Sequence, residues 1–168
     1  MRSTRLPFIV FGFLYSAFVV LLLLTNAQLP EQVASHFGAG GTADGWISRG
    51  AHVRYMLIFG TLFPLAVPAA CYSIRFLPVA LVNIPRREHW LATERKAETF
   101  SWIFRHAVWL GGWSVCFVAG SHWMVVDANL QSPPRLSTAL LVSVTAGFIA
   151  GLAWWIVVLL RRFMRIPK

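Results

Sequence analysis

Acidic residues are scarce in this chain. Six Asp and Glu stand against 15 Lys and Arg among 168 residues, giving a formal net charge of +9, and only 12% of residues are charged. No recognised nucleic-acid motif accompanies the positive charge, so the charge alone does not argue for a nucleic-acid binder. Enzyme signatures are missing as well. There is no GxSxG elbow, no Walker loop, no dinucleotide fingerprint and no HExxH pair, which points away from an enzyme. Cysteine occurs twice, at Cys71 and Cys116, with no CxxC spacing. Both lie in apolar runs and read as buried small hydrophobes that say nothing about compartment. No internal repeat and no low-complexity tail is apparent.

What the chain has is apolar length. Hydrophobic residues make up 57% and the mean hydropathy is +0.63. The apolar residues gather in runs of about twenty, the length that crosses a hydrocarbon core of roughly 30 Å. Backbone groups find no water partner in lipid, so such runs are expected as helices. The sequence therefore predicts an all-α membrane protein, one domain over residues 1–168 with four transmembrane helices at about 7–26, 55–74, 107–126 and 136–160. Pro64 and Pro68 predict a kink in the second span. The stretch MRSTR, an apolar core and TNAQ also looks like a signal peptide with small residues near Ala27. That core is about seventeen residues, longer than the usual 7–15, so an uncleaved first span is expected.

The basic residues orient the bundle. Of the 15 Lys and Arg, Arg49, Arg54 and Arg135 fall on one side and the remaining twelve, Arg2 and Lys168 among them, on the other. Lys and Arg collect on the cytoplasmic side. Both termini and a connection at 75–106 are thus expected inside, and a loop at 28–54 is expected outside as a structured element between helices 1 and 2. In the inner connection, ATERKAETFSWIFRH reads as a helix running into the third span, with Glu94 and Glu98 in its first turns. Trp90, Trp102 and Trp109 fit an interfacial belt.

Two sets of residues stand out. Ala139, Ser143, Gly147 and Gly151 recur every four residues in the fourth span, and Gly112, Cys116 and Gly120 do so in the third. These faces permit close helix approach and are expected to pack on each other, or alternatively to form a homo-oligomer seam. The other set is polar and outward: Glu31, His36, Asp44, His52, His122, Asp127 and Asn129. A histidine one turn inside a span is costly and faces a bundle interior or a water-filled cavity. If the outer loop folds over the helix ends, His36, Asp44, His122 and Asp127 could hold zinc or another divalent metal. Against that, Asp44 before Gly45 is ordinary turn chemistry, and the spacing matches no zinc signature, so no cofactor is predicted outright.

The outer stretch LPEQVASHFGAGGTADGWISRG resembles a membrane family, domain of unknown function 1648, at Leu29, Pro30, His36, Phe37, Gly41, Asp44, Gly45 and Trp46. VNIPRREHWLATERKAET looks like the family's cytoplasmic segment at Asn83, Pro85, Trp90, Leu91, Glu94, Arg95 and Glu98. SHWMVVDANL is similar to the outer end of its third span at His122, Ala128, Asn129 and Leu130. This domain forms the front half of SdpI-type immunity proteins, which protect a producing cell from a secreted peptide toxin. Their second membrane half has no counterpart in these 168 residues. The resemblance implies a bacterial cytoplasmic-membrane protein, multi-pass with both termini inside. It would bind a ligand or peptide at its outer face, with His36, Asp44, Trp46, His122 and Asn129 as the binding set. The alternatives are a small accessory subunit of a larger membrane complex and, third, a metal-dependent membrane enzyme.

Overall fold

The computed structural model describes residues 5–165; Arg2 and Lys168, counted above for the charge asymmetry, lie outside the described residues. Five helices and one hairpin follow in order: α1 (Leu6–Asn26), β1 (Gln32–Phe37), β2 (Ala43–Ser48), α2 (Arg49–Ser73), α3 (Arg87–Trp90), α4 (Lys96–Asn129) and α5 (Thr138–Met164). Short 3-10 turns at Ile74–Phe76 and Val79–Leu81 join α2 to α3. Among the described residues, three helical stretches are long and apolar enough to cross a membrane: α1, Arg49–Phe76 and α5.

The third expected span lies inside α4, which is long but less apolar than the other three. The reason is its place in the bundle. It packs on α1, α2 and α5, and Ala107, Val108, Leu110, Gly111, Gly112, Ser114, Val115, Val118 and His122 are all buried along it. A helix surrounded by others needs small and polar residues for close packing, whereas a lipid-facing helix needs bulk apolar side chains. Phe18, Leu22, Met56, Val115 and Val118 form the centre, drawn from α1, α2 and α4. α5 is different, since Phe163 is its one buried residue among those described.

Both prolines of α2 sit inside the helix and are buried. Pro68 has no N–H to offer the Pro64 carbonyl four residues back. Gly111 of α4 approaches that carbonyl so closely that a Cβ there would lie 2.7 Å from the oxygen. The loss within one helix thus becomes a backbone approach between two.

The structure departs from an all-α reading at residues 32–48. These form an antiparallel pair with Gln32 opposite Ser48, Val33 opposite Ile47 and Ala34 opposite Trp46. A register shift follows Ala34, and His36 then faces Gly45. Short β-compatible runs on either side of a glycine turn make a hairpin. α2 starts at Arg49, six residues before the expected span, because Ser48 caps it by accepting from the Ala51 N–H at 3.2 Å. The cysteines also differ from expectation: Cys116 is exposed on the bundle surface and Cys71 is half-buried.

At the far end, the connection between α2 and α4 folds over α5. Val82, Trp90, Leu91, Phe100, Ile103 and Phe163 form a second core there. Trp90 donates its indole N–H to the Phe163 carbonyl at 3.0 Å. It is therefore a buried anchor and not a member of an interfacial belt. Glu98 lies in the first turn of α4, while Glu94 precedes the helix.

Candidate functional site

One side chain clamps the middle of the hairpin to the bundle. Asn129, at the last turn of α4, accepts from the Ala34 N–H at 2.8 Å and donates to the Ala34 carbonyl at 2.9 Å. Its amide also donates to Val125 O at 2.8 Å. The carboxamide thus behaves as one more strand residue along β1, satisfying a buried backbone pair that no neighbouring strand reaches. Leu29 and Val33 pack against Val126 beside it, and Arg49 donates to the Leu29 carbonyl at 3.0 Å. The turn end is held as well. Leu136 N–H donates to Gly41 O at 2.8 Å. Gly41 has φ +74°, and a Cβ on it would lie 2.9 Å from the Leu136 oxygen, so glycine is required twice over.

Beneath the hairpin lies a chain of polar side chains joining three helices. Thr25 of α1 donates its hydroxyl to Leu21 O at 2.8 Å. With that proton used, Thr25 Oγ1 can only accept from His122 Nε2, 2.7 Å away. His122 Nδ1 is then bare and accepts from His52 Nε2 at 3.1 Å. Three bonds run in one direction, from α2 through α4 to α1, and His122 is neutral within them. His122 is 0% exposed and His52 1%. Their rings stack with centroids 5.3 Å apart.

The outer surface of the hairpin carries a second polar group. His36 Nδ1 and Asp44 Oδ1 are 2.5 Å apart across the strands, with side chains 76% and 51% exposed. Gly45 makes room for this pairing, since a Cβ there would come within 2.9 Å of His36 Cβ. Trp46 is 53% exposed on the same strand as Asp44.

The residues singled out from the sequence thus separate into two layers. His36, Asp44 and Trp46 are at the surface. His122 and Asn129 are engaged internally, in the polar chain and in the hairpin clamp. Asp127 is half-buried and accepts from Gln131 at 3.4 Å. Among the described residues no group of three or more His, Cys, Asp or Glu is placed to hold a metal ion, so His36, Asp44, His122 and Asp127 do not converge. Sequence reasoning named His52 among outward polar residues but did not pair it with His122, and passed over Thr25. Their common signal was position, each within a turn or two of the same end of its helix.

The small residues of α4 and α5 are distributed over several neighbours. Gly112 faces Leu14 of α1, Gly120 faces Val144, and Gly151 lies under the Trp113 indole, where a Cβ would be 2.0 Å from Nε1. A tryptophan, and not a second small residue, fills the space over Gly151. Ala139 and Ser143 are exposed. Ser143 and Gly147 border a cleft of about 170 Å³ with Cys116.

These features define a mostly helical protein with helices of membrane-crossing length and a hairpin clamped over one end. Residues 8–59 match the family described as "Domain of unknown function (DUF1648)". The match takes in α1, the hairpin and the first part of α2, and includes the motif from Leu29 to Trp46. An "Uncharacterized protein" of Archaeoglobus fulgidus is 44% identical over 61 residues, which is 36% of this chain and 31% of that protein. The chain thus matches under a third of that relative's length. No solved structure matches.

Proposed function

We propose that this is a non-enzymatic, four-span protein of a bacterial cytoplasmic membrane whose hairpin binds a ligand, a peptide in the first instance, at the outer face. The observation that carries the reading is the division of labour at the hairpin. Its inner side is fully committed to Asn129, Val126 and the helix ends, while His36, Asp44 and Trp46 are left outward. A fixed scaffold that presents an exposed charge-capable pair beside an exposed indole is suited to recognition. α4 serves as the fourth span in this reading, because its 34 residues run among three helices of spanning length. Both termini are then cytoplasmic, in keeping with the basic residues. The resemblance to SdpI-type immunity proteins adds a secreted peptide as the ligand class.

A photoreactive residue in place of Trp46 tests this, with the same residue in place of Trp154 as control. In intact cells the first should yield a peptide adduct that Asp44→Ala abolishes, and the second should not. Lipid adducts alone at both positions would contradict the reading.

A second reading, a small accessory subunit of a larger membrane complex, draws on α5, whose apolar window has no buried residue. It expects purification in fixed stoichiometry with another membrane protein and loss of that partner when α5 is altered.

A further inference from the structure

Residues of α1, α4 and α5 border a groove of about 1230 Å³, above the roughly 300–1,000 Å³ that encloses a drug-sized ligand. Five of the eight tryptophans line it: Trp102, Trp109, Trp113, Trp154 and Trp155. Some of its polar atoms are consumed in its own wall. His106 donates to Trp155 O at 3.0 Å, Trp155 Nε1 donates to His106 O at 2.8 Å, and their rings stack at 4.8 Å. Arg105 brings a full positive charge to the lining. It bonds the Ser101 hydroxyl at 2.5 Å, and among the described residues no carboxylate lies within 4 Å of it. Glu98 serves Arg162 instead, at 3.8 Å. Gly147 leaves the far wall open, for a Cβ there would meet nothing within 4 Å. From Arg105 to Trp113 the groove follows about 12 Å of helix α4.

A cation with no carboxylate beside it among the described residues, at one end of an aromatic apolar trough, is complementary to an anionic headgroup on an acyl chain. We infer that the groove is a binding site for one anionic phospholipid. The phosphate sits on Arg105, and a chain lies along Trp109 and Trp113 past Gly147. The inference rests on the membrane-spanning reading of α1 and α5, and is independent of any ligand at the hairpin.

The test is tryptophan quenching in phosphatidylcholine vesicles doped with either acyl-brominated phosphatidylglycerol or acyl-brominated phosphatidylcholine. The expected preference for the anionic lipid is roughly fivefold, the worth of one basic residue near an anionic phosphate. Arg105→Gln should bring it to about one. Gly147→Leu, which the open wall tolerates, should weaken quenching by both lipids, and inorganic phosphate should displace neither. Equal quenching by the two lipids, a preference that survives Arg105→Gln, indifference to Gly147→Leu, or displacement by phosphate would each overturn the groove site. Absence of quenching by either lipid would overturn membrane insertion itself, and the groove with it.

Discussion

The two ends of the bundle are closed in different ways. At the hairpin end, closure is polar: Asn129 completes the backbone pairing of Ala34, and Thr25, His122 and His52 join three helices through directed hydrogen bonds. At the other end it is aromatic. Trp90 and Phe163 meet edge to face at 5.5 Å, Trp102 meets Phe163 at 5.6 Å, and the Arg162 guanidinium stands 4.6 Å from the Trp102 ring. The aromatic end has the Trp90 bond to Phe163 O, but most of its contact is area removed from water and packing, which tolerate small displacements. The polar end depends on partners, and removal of one leaves others buried and unsatisfied. Geometry is therefore held most closely at the hairpin end. Directed bonds fix the hairpin in one orientation, with His36, Asp44 and Trp46 outward.

Substitutions at the two ends should separate these modes. Trp90→Ala should have the largest effect, a loss of about 3–5 kcal/mol as expected for a large buried aromatic, read as a lowered unfolding midpoint in detergent. His122→Ala comes next. It leaves the buried His52 Nε2–H without an acceptor, at about 1–3 kcal/mol, while Thr25 keeps its bond to Leu21 O. Combined, the two should add within about 0.5 kcal/mol, since the clusters share no residue; strong coupling between them would break the comparison.

Asn129→Ala should cost about 1–3 kcal/mol, and its local signature is more telling. Amide exchange should accelerate at Ala34 and its strand neighbours and stay unchanged around Trp90. Gly45→Ala is smaller, about 1–2 kcal/mol from overpacking against His36, and should shift the His36 ring resonances. Least of all, His36→Ala should leave the unfolding midpoint nearly unmoved, because the pair is exposed, while abolishing the peptide adduct proposed at the hairpin.

Much of this architecture was legible in the sequence. The apolar runs marked α1, α2 and α5, and the motif around His36 and Asp44 marked the hairpin region that the family match covers. α4 was harder. Its interior position requires Gly111, Gly112, Ser114 and His122, and these lower the apolar signal that identifies a span. The strands were hidden because the buried Val33 and Ala34 are adjacent residues, and a register shift at Ser35 spoils the two-residue alternation. The pairing of His52 with His122 spans 70 residues and depends on how three helices meet. No local pattern encodes that. Asn129 was found as a candidate, but its role as a strand mimic required knowing that Ala34 lies beside it.

In the proposed topology the hairpin and the α2–α4 connection lie on opposite faces of a membrane. In a background lacking Cys71 and Cys116, Ala43→Cys and Thr93→Cys should be labelled by a membrane-impermeant maleimide in a mutually exclusive way. The account predicts that Ala43→Cys reacts in intact cells and Thr93→Cys only after the membrane is opened. Reaction of both from outside would contradict it.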